Sequence, residues 1–114
     1  MNKRSLGTDK EKMAAEYLIE KGYKILDMNF RTRFSEIDII ARHESELVFV
    51  EVKYRRNTAS GYPEEAVNCQ KQTKIRKASE YYMMVKGYVI DRTNIRYDVI
   101  SITGNDIYHI ISAF

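Results

Sequence analysis

The sequence has few of the features on which several protein classes depend. It contains one cysteine, one proline, five glycines and no tryptophan in 114 residues. A single cysteine excludes an intramolecular disulfide and suits a reducing compartment, so we expect the cytoplasm. No apolar run approaches the ~20 residues of a membrane-spanning helix. No apolar segment follows the basic residues 1–4, so we expect neither a signal peptide nor membrane association.

The composition is that of one small globular domain. Apolar residues make up 44% of the chain and charged residues 31%, which are ordinary values for such a domain. The length predicts a single domain over residues 1–114, with residues 1–7 as a mobile basic tail. The net charge of +3 permits nucleic-acid binding without requiring it.

Residues 34–56 predict a β-hairpin with charged side chains in unusual places. Alternating apolar residues come first, residues 43–46 form a polar break, and residues 47–53 are rich in β-branched and aromatic types. The second strand is apolar on both faces, which predicts a central strand covered on both sides. It nevertheless carries Glu51 and Lys53. Charged groups on such a strand are costly unless they are paired or functional.

The register of this hairpin decides which charged residues meet. A turn with an even number of residues places Asp38 opposite Glu51 and Glu36 opposite Lys53, whereas an odd turn separates them. Glu36 and Lys53 would make an ordinary cross-strand ion pair, but two opposed carboxylates repel. A shared proton or a divalent cation relieves that repulsion. We favour Mg²⁺ or Mn²⁺, because two carboxylates beside a lysine suit metal-assisted phosphodiester hydrolysis.

These residues resemble a known nuclease pattern. Asp38, followed after a hydrophobic strand by Glu51, Val52 and Lys53, resembles the PD-(D/E)XK motif. Nearly the whole chain resembles the YraN family of bacterial endonuclease-like proteins, through segments 35–41 (SEIDIIA), 47–53 (LVFVEVK) and 63–67 (PEEAV). The resemblance implies a restriction-endonuclease-like fold, akin to archaeal Holliday-junction resolvases. The family usually has glycine where this chain has Ser35, so this position tests whether the backbone there needs a positive φ.

The first predicted helix offers a further carboxylate. It runs from Thr8 to about Lys21 and ends at Gly22. Thr8 and Glu11 match a capping box, which would give Glu11 a purely structural role. Glu11 also lies seven residues before Leu18 and hence near the buried face. Related nucleases place a glutamate there, so the resemblance implies a third acid that reaches the metal.

The remaining pattern completes an α/β fold. It predicts an edge strand over residues 23–33, a helix over residues 69–86 capped by Asn68, and strands over residues 94–102 and 107–112. The expected inner stripe of the second helix is Ile75, Ala78, Tyr82 and Val85. The predicted order is therefore α-β-β-β-α-β-β, a mixed β-sheet flanked by helices.

Five basic residues are candidates for nucleic-acid contact. Arg31 and Arg33 precede the hairpin, and Arg55 and Arg56 lie in the polar segment that we expect to be a loop after Lys53. Lys71 falls on the inner face of the second helix, in its first turn. A solvated loop and a snorkelling surface lysine are the alternatives. His43, His109 and Cys69 have no ligand-like or catalytic spacing, so we interpret them as structural.

The sequence therefore predicts a metal-dependent endonuclease that hydrolyses phosphodiester bonds in DNA, including branched or damaged DNA. Its catalytic residues would be Asp38, Glu51, Lys53 and Glu11, and its metal ligands Asp38 and Glu51. The expected partner is DNA, and a homodimer is expected if both strands are cut. The alternatives are a non-catalytic nucleic-acid-binding or assembly module that keeps the fold, and a structural domain whose charges are cross-strand pairs.

Overall fold

A computed structural model describes residues 3–55 and 67–114, with side chains from residue 9 onward. Its elements confirm the predicted order α-β-β-β-α-β-β, with one additional turn of 3₁₀ helix. They are α1 (Lys3–Glu20), β1 (Lys24–Arg31), β2 (Glu36–His43), β3 (Glu46–Arg55), α2 (Cys69–Lys86), the 3₁₀ helix (Ile90–Arg92), β4 (Asn94–Thr103) and β5 (Asp106–Ile110).

The five strands form one mixed sheet in the order β1-β2-β3-β4-β5. Neighbours are antiparallel except for β3 and β4, which are parallel. A parallel pair needs a long crossover connection, and α2 lies within it. β1 is an edge strand and β3 is central, as the sequence predicts.

Each face of the sheet packs against one helix. On one face, Ala14 and Leu18 of α1 contact a cluster that includes Val48 and Val50 of β3. The opposite face of β3 presents Leu47 and Phe49 to the second cluster, because successive side chains of a strand point to opposite faces. The buried residues of α2 in that cluster are Ile75, Ala78, Tyr82 and Met83.

The inner face of α2 differs from the predicted stripe at one end. Val85 is 54% exposed, and Met83 is fully buried in its place. The helix places residues four apart on nearly one line, so the buried face runs through Ser79 and Met83. The predicted ends of α2 are confirmed. Asn68 Oδ1 accepts a hydrogen bond from Lys71 N at 2.8 Å, and Gly87 has a φ of 79°.

The hairpin register is the one that an even turn predicts. β2 and β3 pair from His43 opposite Glu46 to Ile39 opposite Val50. Within residues 3–55 and 67–114, β2 beyond Ile39 pairs with β1 and no longer with β3, and β3 beyond Val50 pairs with β4 and no longer with β2. The two strands therefore separate at Asp38 and Glu51, and we call this point the fork.

Two local predictions are wrong, and the question about the backbone at Ser35 is answered. α1 begins at Lys3, so the backbone of residues 3–7 is helical and Thr8 is not an N-cap. The segment contains Gly7, which is a poor helix former, but it has no proline, and Lys, Arg and Leu favour the helix. β3 continues to Arg55 instead of giving way to a loop after Lys53, because it keeps pairing with β4 up to Thr103. Ser35 is not among the described residues with positive φ, so its position does not require glycine.

Candidate active site

The fork holds two buried carboxylates side by side. Asp38 is 9% exposed and Glu51 is 7% exposed. Asp38 Oδ2 accepts a hydrogen bond from the backbone N–H of Val52 at 2.8 Å. This bond spans the gap left by the missing strand pairing and holds Asp38 against β3. The two acids are close enough that the charge of Asp38 raises the pKa of Glu51.

Glu11 of α1 joins this pair from the first helix. It lies within hydrogen-bonding reach of Asp38, so the two carboxyl groups can share one proton. Asn29 of β1 can hold the Glu11 carboxyl group in this position. With its amide nitrogen turned toward the acids, Asn29 Nδ2 lies 2.8 Å from Glu11 Oε1 and 3.2 Å from Glu36 Oε1. Glu11 therefore faces the fork instead of capping its helix.

Asn29 is a site residue that the sequence patterns alone did not reveal. Two signals could have found it. Asparagine is disfavoured inside strands, and it is one of the few residues that tolerate a left-handed backbone. In the structure Asn29 has a φ of 56°. It lies between the β1 residues that pair with Ile37 and Ile39, and hence opposite Asp38.

The acids at the fork hold their protons more tightly than free carboxyl groups. Burial, with added repulsion from Asp38, raises the pKa of Glu11 to about 8. Burial and the charge of Asp38 raise the pKa of Glu51 to about 7. Burial also raises the pKa of Asp38, although the hydrogen bond from Val52 opposes this. Such shifts are typical of functional sites as well as of structural ion-pair networks.

Two lysines balance this negative charge. Lys71 Nζ lies 3.9 Å from Glu51 Oε1, so Lys71 extends from the first turn of α2 into the fork. Lys53 is half-buried, and its charge also lowers the pKa of Glu51. The ordinary cross-strand pair between Glu36 and Lys53 is not formed among the described residues, because the strands have already separated. Glu36 instead lies 3.8 Å from Arg31.

The donor set fits a divalent cation held by two side chains. Glu51 Oε2 is buried and has no hydrogen-bond partner in the described structure. A buried, unpaired carboxylate oxygen is costly, and a cation would satisfy it. No group of three or more Asp, Glu, His or Cys side chains in residues 9–55 and 67–114 is arranged to hold a metal. Mg²⁺ usually takes one or two carboxylates and completes its shell with water and phosphate.

The five predicted nucleic-acid contacts are not all at the fork. Lys71 is there. Arg31 and Arg33 lie at the turn between β1 and β2. Arg55 ends β3, and Arg56 lies outside the described residues.

The comparisons with known proteins cover almost the whole chain. The sequence model of "Uncharacterised protein family UPF0102" matches residues 10–102. The chain belongs to the UPF0102 (YraN) family. A UPF0102 protein from Lachnoclostridium phytofermentans is 47% identical over 114 residues, which cover 100% of this chain and 96% of the relative. One from Clostridioides difficile is 44% identical over 116 residues and covers 100% of both chains.

A third UPF0102 protein, from Persephonella marina, is 44% identical over 108 residues, or 95% of this chain and 91% of the relative. The YraN resemblance read from the sequence is thereby confirmed at the level of the family. Of the helices in the described part of this UPF0102 chain, none combines the length and apolar character needed to cross a bilayer.

The raised pKa values predict how stability depends on pH in the metal-free protein. Glu11 and Glu51 bind protons more tightly when folded than at their ordinary pKa of 4.5. This tighter proton binding stabilises the folded state. Its contribution to the free energy of unfolding is complete below about pH 4.5 and is lost as pH rises through about 7 to 8. We expect the melting temperature in EDTA to fall over that window.

The matched measurement is the same series of melts on Glu51→Gln, in which one of the two groups no longer titrates. Its melting temperature should fall less steeply with pH than that of the wild type. Added Mg²⁺ should raise the wild-type melting temperature more at about pH 8.5 than at about pH 6, because the ligands must lose their protons. Identical slopes in the two proteins would show that Glu51 does not titrate in this range.

Proposed function

We propose that this protein is a metal-dependent endonuclease that hydrolyses phosphodiester bonds in DNA. The observation that supports this most directly is the unpaired, buried Glu51 Oε2 beside Asp38, at the point where two central strands separate. The restriction-endonuclease-like resemblance implies an acid on one strand and Glu-x-Lys on the next, and the fork brings these residues together.

Each residue at the fork has a distinct part in this proposal. Asp38 and Glu51 would hold Mg²⁺ or Mn²⁺, and the ion would polarise the phosphate and lower the pKa of a bound water. Lys53 orients the attacking water or stabilises the charge that develops on the phosphate. Lys71 neutralises Glu51 in the free protein and is placed to contact the incoming phosphate.

Glu11 and Asn29 support Asp38 from the other side. Asn29 orients the Glu11 carboxyl group by hydrogen bonds, and Glu11 is placed to share a proton with Asp38. Loss of that proton leaves Asp38 fully charged for the cation. Glu11 thereby couples protonation of the site to metal affinity. It is accordingly assigned as a catalytic residue and not as a metal ligand.

The test is a cleavage assay on labelled linear, flapped and four-way DNA with Mg²⁺, Mn²⁺ or EDTA. We expect cleavage with either cation and none in EDTA. An RNA version of each substrate distinguishes the two nucleic acids. Binding of DNA without cleavage under every condition would favour a non-catalytic nucleic-acid-binding module instead. The position of Lys71 supports this second candidate, because its ammonium group already balances the charge of Glu51 without a metal ion.

Replacing Lys53 by alanine should reduce the cleavage rate by about a hundredfold to a thousandfold, the range found when one transition-state donor is lost. Metal binding should persist, because Lys53 acts on water or phosphate and not on the cation. Single-turnover cleavage and Mg²⁺-dependent melting measure the two effects separately. Lys24→Ala, an exposed lysine of β1, is the control and should cut normally. A Lys53→Ala protein with wild-type rates would remove Lys53 from the mechanism.

A further inference from the structure

The turn between β1 and β2 forms an open pocket beside α2. It has a volume of about 460 Å³ and is lined by Arg31, Thr32, Arg33, Phe34 and Tyr81. The turn is ordered by its own hydrogen bonds. Thr32 Oγ1 accepts from the backbone N–H of Phe34 at 3.0 Å and from that of Ser35 at 3.1 Å. Phe34 is therefore held in place while its ring remains accessible.

Two aromatic rings and several cations share this pocket. Phe34 is 36% exposed and Tyr81 is 43% exposed. Arg33 Cζ lies 5.1 Å from the centre of the Phe34 ring, and Lys77 Nζ of α2 lies 5.7 Å from it. Among the described residues that line the pocket, none is acidic. The pocket thus combines two partly exposed aromatic rings with positive charge that lies against the Phe34 ring.

The pocket is close to the fork along the chain. Phe34 precedes Asp38 by four residues, so their backbones are no more than about 14 Å apart. A strand of nucleic acid covers this distance in a few nucleotides. Arg31 connects the two regions, because it lines the pocket and also lies 3.8 Å from Glu36.

We propose that this pocket binds an unpaired nucleotide of the DNA strand that enters the active site. Its base stacks on Phe34 and Tyr81, and the adjoining phosphates face Arg31, Arg33 and Lys77. Every base has a π-face, so stacking on aromatic side chains accepts any sequence. In a duplex both faces of a base are covered by its neighbours, so the pocket selects unpaired bases. The choice of DNA rests on the proposed function, and the substrates implied are flapped, branched or frayed DNA.

Binding to fluorescent oligonucleotides in EDTA tests the pocket without any cleavage. The probes are a blunt duplex, the same duplex with a short single-stranded flap, and the flap sequence alone as DNA or RNA. We expect the wild type to bind the flapped duplex more tightly than the blunt one. Phe34→Leu and Tyr81→Leu keep apolar volume but remove the ring. Each should weaken flap binding by about tenfold, since one base–aromatic stack is worth about 1–3 kcal/mol, and should change blunt-duplex binding less than twofold.

Tyr108→Leu is the matched control, because Tyr108 of β5 is also 43% exposed but lies outside the pocket. It should bind all probes like the wild type. Tyr81→Phe retains a ring and should keep flap binding. Equal affinity of the wild type for blunt and flapped duplex would overturn the proposal, and so would equal losses in Phe34→Leu and Tyr108→Leu. Sedimentation offers one more contrary outcome. If the wild type is a dimer that Phe34→Leu dissociates without a change in flap binding, the pocket is a self-association surface and the proposal is overturned.

The outcomes separate the pocket from the proposed function. Selective flap binding by a protein that never cleaves would keep the pocket and reject the nuclease. The opposite result would keep the nuclease and reject the pocket. In that case Asp38→Asn would lose cleavage, whereas Phe34→Leu would bind and cleave flapped DNA like the wild type.

Discussion

Replacing Glu51 by glutamine is expected to abolish cleavage, to remove the thermal response to Mg²⁺ and to stabilise the metal-free protein. The three effects have one cause. Without metal and above the Glu51 pKa of about 7, two charged carboxylates lie together at the fork, and removing one relieves a repulsion of about 1 kcal/mol. With Mg²⁺ the ranking inverts, because the ion stabilises only a folded state that binds it. At a Mg²⁺ concentration of about ten times Kd, the wild type should gain about 1.4 kcal/mol.

Asp38→Asn should behave in the same way toward Mg²⁺ and lose more than about a hundredfold in cleavage, since it removes a ligand of the catalytic ion. Thermal melts with and without Mg²⁺, together with single-turnover assays, measure all of these effects. Glu16→Gln, on the exposed face of α1, is the control and should match the wild type throughout. Equal Mg²⁺ responses in wild type and Glu51→Gln would mean that these carboxylates do not hold the cation.

Replacing Asp98 by alanine is expected to have the largest effect on stability. Asp98 is fully buried. It accepts hydrogen bonds from Arg96 Nε at 2.9 Å and from the backbone N–H of Ser112 at 3.1 Å. His109 Nε2 lies 2.7 Å from its second oxygen. Burial alone would raise the pKa of Asp98, but these bonds outweigh burial and lower it.

Removing this carboxylate leaves Arg96, which is only 9% exposed, without its main counterion. Breaking a buried ion pair in this way typically costs about 3–5 kcal/mol. Urea melts of Asp98→Ala should show that loss, whereas Asp106→Ala, an exposed aspartate of β5, should change stability by less than about 0.5 kcal/mol. The double variant Arg96→Leu/Asp98→Leu should be less destabilised than Asp98→Ala, because the buried guanidinium is removed with its counterion and only the partly exposed Glu46 loses a partner. A loss below about 1 kcal/mol in Asp98→Ala would contradict this account.

The network around Asp98 also shows why a sequence pattern can miss a buried polar group. Arg96 and Asp98 alternate with apolar residues in β4, which predicts a polar, solvated face. That face is instead buried, and Arg96 also donates hydrogen bonds there to Tyr23 and to Glu46. His109 connects the same network to Tyr17 of α1 at 3.3 Å. Partners this far apart in the chain cannot be read from local alternation.

The sequence by itself determined the order of the elements and the caps of α2, and it left two registers for the hairpin, of which the structure has the one with an even turn. These features depend on neighbouring residues: alternation specifies strands, turn length specifies register, and Asn68 and Gly87 supply groups that only a helix end requires. The meeting of Asp38 with Glu51 followed from that register, because both residues belong to one hairpin.

Only the tertiary structure decided what surrounds that pair. β2 leaves β3 beyond Ile39 while it continues to pair with β1, and β3 continues to pair with β4. Glu11, Asn29 and Lys71 reach the fork from three other elements, and Phe34 meets Tyr81 across the turn and α2. Local patterns show which residue types are present and which face they occupy. They do not show which distant elements pack together, because that packing depends on burial summed over the whole chain.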